Sequence, residues 1–206
     1  MLIAHKKPFL EYLLEWLKTQ EIEDIIFAIG FKGEVIRRHF KNNYHGLKIL
    51  YSHEGNNLLG TGGAIKKALT YCNKNAVFVV NGDTYFPVDL KELLSYHMTN
   101  NSEITIALKN LYNFDRYGSV EVTANGIIKS FREKGFKKEG LINGGIYCIE
   151  KEILSDGKEN AFSFERDFLE NHVKDIKIFG KIFDETFYDI GTPADYRNFS
   201  EVMSHV

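Results

Sequence analysis

Apolar residues recur along this chain at two different spacings that alternate with one another. Between residues 8 and 19, Phe9, Leu10, Leu13, Leu14 and Leu17 fall on one face at helical spacing, and Pro8 stands in the first turn, where a missing N–H is harmless. Residues 24–30 form instead a short apolar run closed by Gly30, which predicts a strand buried on both faces of a parallel sheet. The alternation continues with a helix over 33–42, a strand over 47–51 and a helix over 63–70. Residues 76–83 carry the strongest strand signal, unbroken apolar sequence that stops abruptly at Asn81-Gly82-Asp83, and such a run belongs at the centre of a sheet. A helix over 89–97 and a strand over 103–108 follow.

The second half reads differently. Strand-like segments at 118–123, 126–132 and 141–149 are separated by turn residues that include Asn125-Gly126, the mark of an antiparallel or mixed edge. A helix over 163–171, a strand over 176–183 and a helix over 192–203, opened by Thr192-Pro193, complete the chain. Short apolar strands alternating with amphipathic helices predict an α/β fold: a doubly wound, mostly parallel, Rossmann-like mixed sheet with a small antiparallel edge. No linker or repeat divides the 206 residues, so a single domain over 1–206 is expected. In such a fold, ligands sit at the carboxyl ends of the strands, where Asp83 is placed.

Composition narrows the function. With 44% hydrophobic and 26% charged residues the chain can bury one sizeable core. A formal charge of -2 leaves no basic excess for a nucleic-acid backbone, although local lysines remain available to small anions. No apolar run reaches the ~18 residues needed to span a bilayer, so no membrane partner is expected. Cys72 and Cys148 show no metal-ligand spacing and fit a reducing cytoplasm. The histidines, His39, His45 and His53 among them, show no zinc-site spacing either.

Asp83 is the first candidate for chemistry. Taken alone, an aspartate at a strand end is as often a cap or a turn residue. A carboxylate at the end of a central strand also suits Mg²⁺ held over nucleotide phosphates, because that hard cation prefers oxygen ligands and keeps waters. Phe187-Tyr188-Asp189-Ile190-Gly191-Thr192-Pro193 is a second strand-to-helix junction bearing an aspartate, so Asp83 and Asp189 could flank one ion.

Six motifs then occur in a telling order: Leu59-Gly60-Thr61-Gly62-Gly63-Ala64, Val80-Asn81-Gly82-Asp83, Arg116-Tyr117-Gly118, Phe131-Arg132-Glu133-Lys134, Ile142-Asn143-Gly144-Gly145-Ile146-Tyr147 and Asp189-Ile190-Gly191-Thr192-Pro193. Each is weak alone. Together, over essentially the whole chain, they resemble the sugar-phosphate nucleotidyltransferases. With Phe162-Ser163-Phe164-Glu165 and the compact length, the resemblance is greatest to the bacterial heptose 1-phosphate guanylyltransferases.

That resemblance implies a pyrophosphorylase that joins NMP from an NTP, here GTP, to a sugar 1-phosphate, here D-glycero-D-manno-heptose 1-phosphate, for surface polysaccharide synthesis. A mannose or glucose 1-phosphate nucleotidyltransferase, or a non-catalytic sugar-nucleotide binding protein, are the alternatives. It further implies that Glu54, Leu59, Gly60, Thr61, Gly62, Gly63 and Gly82 contact the nucleotide, with glycines letting the backbone approach it. Asp83 and Asp189 would be the Mg²⁺ ligands, and Gly118, Glu133, Lys134 and Asn143 would hold the sugar phosphate. Glu133 and Lys134 taken alone are an ordinary solvated pair, and Asn143 an ordinary turn residue. A homo-oligomer is left open. Residues 1–9 resemble the segment that follows the family's Gly-Gly-x-Gly-Thr-Arg loop and Lys-Pro pair. The implied chain therefore opens one strand and one loop late, with unpaired strand edges on both sides of the gap.

Overall fold

The computed structural model describes residues 1–55, 57–155 and 161–204. A two-residue ladder, Ile3–Ala4 (β1) with Lys7–Pro8 (β2), leads into helix α1 at Phe9–Thr19. Phe9, Leu13, Leu14, Trp16 and Leu17 of α1 are buried, the face that its apolar spacing dictates. Strand β3 (Asp24–Ile29), helix α2 (Gly33–Phe40) and strands β4 (Asn43–Tyr44) and β5 (Leu47–His53) follow. Helix α3 (Gly60–Leu69), strands β6 (Ala76–Val80) and β7 (Thr84–Tyr85) and helix α4 (Leu90–Thr99) come next. Helix α4 is capped by the Asp89 carboxylate, which accepts from the Glu92 N–H at 3.0 Å. Four long strands succeed it: β8 (Ile104–Phe114), β9 (Gly118–Val122), β10 (Ile128–Lys134) and β11 (Lys137–Glu150). A π-helical turn at Phe164–Leu169 runs into a short helix α5 (Glu170–His172). Strands β12 (Ile178–Phe183) and β13 (Tyr188–Asp189) and helix α6 (Pro193–Val202) close the chain.

The main sheet has the order β10-β9-β11-β8-β12, with β6 also paired to β11. Strand alternation sends β11 side chains to opposite faces. Ile146 and Cys148 enter a core cluster with α1, α4 and α6, while Tyr147 and Ile149 enter a second cluster with Leu69 of α3, Phe164 and Leu169. Both faces are therefore covered, and the expected α/β fold with mixed sheets is observed. Its parallel ladders are β8 with β12 and β3 with β5, whereas the other ladders are antiparallel.

Two strands differ from their sequence expectation. Strand β6, expected at a sheet centre, pairs only with β11, and all five of its residues are half-buried. Strand β3, expected to be buried on both faces, pairs only with β5 in a separate three-stranded sheet and is largely half-exposed. Side chains of both strands, Ile25 and Phe27 from β3 and Ala76, Phe78 and Val80 from β6, pack against the same core cluster. Their apolar character thus still serves burial, but among the described residues each keeps one unpaired backbone edge. The predicted helix over 163–171 is the π-helical turn running into α5. Its first turn is capped at Ser163, whose carbonyl accepts from the Asp167 N–H and whose hydroxyl accepts from the Arg166 N–H.

Candidate active site

Strand β7 and strand β13 form a short antiparallel ladder in which Asp189 lies opposite Thr84, and the Ile190 N–H donates to the Asp83 carbonyl at 2.9 Å. Two aspartates separated by more than a hundred residues of sequence are thereby placed side by side. Asp83 is exposed as a residue, yet the surrounding protein removes part of the hydration of its carboxylate. That desolvation, followed by the charge of Asp189 and then that of Glu165, raises its carboxyl above the ordinary aspartate range. Asp189 is anchored from several sides. Its Oδ1 accepts from the Gly191 N–H at 2.7 Å, its Oδ2 accepts from the Tyr117 hydroxyl at 3.1 Å, and the Arg116 guanidinium stands 3.7 Å away while also pairing with Asp195. Burial first, and then the Asp189 charge, lift the Tyr117 phenol well above its usual value, so it remains a donor.

The glycine-rich segment at 59–63 forms the start of α3. Glu54 does not stand free here, since its Oε2 accepts from the Leu59 N–H at 2.7 Å and holds the loop in shape. Gly60 has φ +67, and a Cβ added to it would lie 2.5 Å from the Phe162 carbonyl oxygen; at Gly62 it would lie 2.1 Å from the Phe162 ring. Reciprocal bonds tie the two segments, Gly62 N–H to the Phe162 carbonyl at 2.9 Å and Phe162 N–H to the Leu59 carbonyl at 3.0 Å. The close approach that these two glycines permit is therefore to Phe162 of the protein itself. We expect Gly62→Ala to destabilise the fold by about 1–3 kcal/mol through overpacking. The loss is expected to be smaller in Gly62→Ala/Phe162→Ala than the sum of the single losses, measured by denaturant unfolding; simple additivity would contradict the clash.

In the main sheet, β10, β9 and β11 lie next to one another. Lys134 pairs with Gly118, and Ser119 pairs with both Arg132 and Ile142, so Gly118, Lys134 and Asn143 come onto three adjacent strands. The register slips between Arg132 and Lys134, and Glu133 occupies that bulge with its side chain exposed; burial first, and then the Glu133 charge, raises the Glu170 carboxyl. Asn143 lies at a second register shift, in β11. Its Oδ1 accepts from the Gly145 N–H at 2.9 Å and its Nδ2 donates to the Tyr147 hydroxyl at 2.8 Å, which leaves one amide N–H for a ligand. Gly145, with φ +72, supports the shift, and its carbonyl accepts from the Asn81 N–H at 2.8 Å, joining this turn to the Asn81-Gly82-Asp83 strand end.

Further side chains enter the site that the sequence reading left without a role. Tyr117, Tyr147 and Glu165 all lie inside the motifs quoted above, which was the available signal, but their place in the site rests on contacts between distant segments.

The profile of the nucleotidyl transferase family matches residues 1–205. The chain belongs to that family. It is 48% identical over 194 residues to D-glycero-alpha-D-manno-heptose 1-phosphate guanylyltransferase of Campylobacter jejuni, covering 94% of this chain and 85% of that one. It is 43% identical over 200 residues to the protein of the same name from Aneurinibacillus thermoaerophilus, covering 97% of this chain and 86% of that one. Among solved structures, HddC from Yersinia pseudotuberculosis complexed with GMP-PN superimposes with a TM-score of 0.88 at 34% identity, covering 98% of this chain and 88% of that one.

For a nucleotidyl transferase the site has an instructive charge balance. Asp83 and Asp189 stand side by side, and burial first, then the Asp189 charge, raises the Asp83 carboxyl. A cation relieves the repulsion between the two, and the oxygen-only donor pair of Asp83 and Asp189 suits a hard divalent ion. No group of three or more His, Cys, Asp or Glu ligands exists among the described residues, but Mg²⁺ needs only one or two carboxylates plus water and substrate oxygens. No helix among the described residues is long and apolar enough to cross a membrane.

Proposed function

We propose that this chain joins GMP from GTP to D-glycero-D-manno-heptose 1-phosphate, yielding GDP-heptose and pyrophosphate. The observation that carries the reading is that Asp189, paired with Thr84 on a ladder, is brought beside Asp83 just before that ladder, in a chain so similar along its length to heptose 1-phosphate guanylyltransferases. A phosphate oxygen of the sugar 1-phosphate is ionised at neutral pH and is itself the nucleophile. It forms the new bond to the α-phosphorus as the bond from that phosphorus to the bridging oxygen breaks, and pyrophosphate leaves with the electron pair. No side-chain nucleophile is needed, so the protein's work is positioning and charge control.

The carboxylates of Asp83 and Asp189 would hold Mg²⁺, which when bound neutralises charge on the α-phosphate and the departing pyrophosphate. The segment 59–63, shaped by Glu54, and the backbone at Gly82 form the nucleotide side. Gly118 and Asn143 meet the sugar by backbone and by the remaining amide N–H, Glu133 accepts from sugar hydroxyls, and Lys134 supplies a point charge to its phosphate. The reaction belongs in the cytoplasm, where its product supplies the synthesis of surface polysaccharides such as capsule or lipopolysaccharide.

The test is pyrophosphate release with Mg²⁺ from GTP and D-glycero-D-manno-heptose 1-phosphate, in competition with mannose 1-phosphate, glucose 1-phosphate and the other nucleoside triphosphates. Preference for another sugar or base would replace the substrate assignment, and binding of nucleotide and sugar phosphate without pyrophosphate release would favour a binding protein. In the active protein, Lys134→Ala is expected to raise KM for the sugar 1-phosphate about 10- to 100-fold, the worth of one charge-assisted contact, with KM for GTP changed less than threefold. Equal losses for both substrates would remove Lys134 from the sugar side.

A further inference from the structure

The two halves of the site are joined by one side chain. Glu165 uses both carboxylate oxygens, in opposite directions. Its Oε2 accepts from the Thr61 hydroxyl at 3.0 Å, on the glycine-rich loop, and its Oε1 accepts from the Tyr147 hydroxyl at 3.0 Å. Tyr147 is buried in the second core cluster, and its hydroxyl accepts in turn from the Asn143 amide at 2.8 Å. A continuous chain of hydrogen bonds thus runs from the loop at 59–63, through Thr61, Glu165 and Tyr147, to the one asparagine placed on the sugar side.

The surroundings make this bridge stiff. Phe164, next to Glu165, is fully buried, packs edge-to-face on Tyr147 with ring centroids 5.3 Å apart, and stacks on Phe168 at 5.8 Å. The Phe164 N–H donates to the Thr61 hydroxyl at 2.8 Å, so Thr61 is gripped by backbone and carboxylate together. Glu165 sits on the π-helical turn, a widened geometry that is uncommon and concentrates at functional sites because it redirects a side chain. Tyr147 remains a neutral donor, since burial, followed by the Glu165 charge, pushes its phenol far above the ordinary range.

We infer that Glu165 is a positioning residue that sets the spacing between the nucleotide loop at 59–63 and the sugar-side amide of Asn143. The inference rests on the assignment of those two segments to nucleotide and sugar 1-phosphate. Glu165 need not touch either substrate; it acts through Thr61 on one side and through Tyr147 on the other. A glutamine keeps the bridge, since its amide oxygen accepts from Tyr147 and its N–H donates to the Thr61 oxygen, whereas alanine cuts it on both sides.

The experiment compares Glu165→Ala, Glu165→Gln, Tyr147→Phe and Thr61→Val by three readouts: thermal midpoint, Kd for the nucleoside triphosphate that binds tightest by calorimetry, and KM for the sugar 1-phosphate. Glu165→Ala is expected to raise both the nucleotide Kd and the sugar KM about tenfold, the size of one lost hydrogen bond to a charged group on each side. Tyr147→Phe is expected to raise only the sugar KM and Thr61→Val only the nucleotide Kd, while Glu165→Gln returns both to within threefold of the unmodified protein. A Glu165→Ala protein that melts earlier but keeps both constants within twofold has lost a structural clamp and overturns the inference, as does a Glu165→Gln protein no better than Glu165→Ala. If the unmodified protein turns over no sugar 1-phosphate, the functional reading fails separately, and the nucleotide Kd of the alanine and glutamine variants still decides for or against the bridge. A chain that binds no nucleoside triphosphate overturns both.

Discussion

Replacing Asp83 with asparagine is expected to lower pyrophosphate release about 1,000-fold, equivalent to roughly 4 kcal/mol of lost transition-state stabilisation, while raising the thermal midpoint at pH 7. The two effects have one cause. Asp83 is desolvated and faces the charge of Asp189, and in the proposed reaction a cation between them would relieve what, without it, opposes folding. The raised carboxyl of Asp83 makes the sign explicit. A folded-state value above the unfolded one means a contribution to stability that is present below the ordinary aspartate range and is lost as pH rises through the folded value. At pH 7 the ionised Asp83 therefore destabilises the fold, and a neutral amide removes that penalty. The gain is modest because the residue is exposed, and it is expected to vanish in melts at pH 3, below the ordinary aspartate range. Asp189→Asn should lose as much activity without gaining stability, because Asp189 accepts from Tyr117 and Gly191 and faces Arg116, contacts that an amide satisfies less well. Turnover measured over a Mg²⁺ series, together with melts at both pH values, checks these claims. Undiminished activity in both variants, or a lower midpoint for Asp83→Asn at pH 7, would defeat the metal assignment or its electrostatic account.

Phe199→Ala is expected to cost about 3–5 kcal/mol and to lower the thermal midpoint by roughly 10 °C. Phe199 is fully buried in α6, and its ring meets those of Phe9 at 5.0 Å, Tyr12 at 5.3 Å, Tyr85 at 5.5 Å and Tyr188 at 5.5 Å. Phe9 and Tyr12 belong to α1, whereas Tyr85 and Tyr188 are partners on the ladder that carries Asp189 and directly follows Asp83. One ring thus pins the last helix and the first helix to the paired aspartates. The variant is therefore expected to lose Mg²⁺-dependent turnover even at temperatures where it remains folded, because the ladder is free to shift. Phe199→Leu, which refills much of the space, should recover more than half of the lost stability. Melting curves and turnover at 10 °C provide the check. A midpoint within 2 °C of the unmodified protein would show that the aromatic cluster does not anchor the ladder.

Much of this architecture was legible in the chain alone. Helix α1 begins and ends where its apolar spacing and Pro8 indicate, α6 starts at Thr192-Pro193, and the Thr192 hydroxyl accepts from the Asp195 N–H. These features are local, set by periodicities and caps that span a few residues. The two aspartates were legible as well, because a strand end followed by a polar turn is a local signal. The apolar run at Ala76–Val80 misled about position: unbroken hydrophobicity demands burial of side chains, which the α1 and α3 layers supply, but it does not demand a ladder partner on each side. Gly60 and Gly62 were legible as glycines with a purpose, yet that purpose, room for Phe162, depends on a segment about a hundred residues away.

Short-range spacing of residue types sets the helices and longer strands, their order and the family to which they belong, but not the two-residue strands β7 and β13. Folding alone brings Asp189 beside Asp83, whose carbonyl accepts from the Ile190 N–H, and links Thr61 to Tyr147 through Glu165. Those facts are contacts between remote segments, and hydrogen bonds of about 3 Å are fixed by the packing of buried layers rather than by any spacing along the chain.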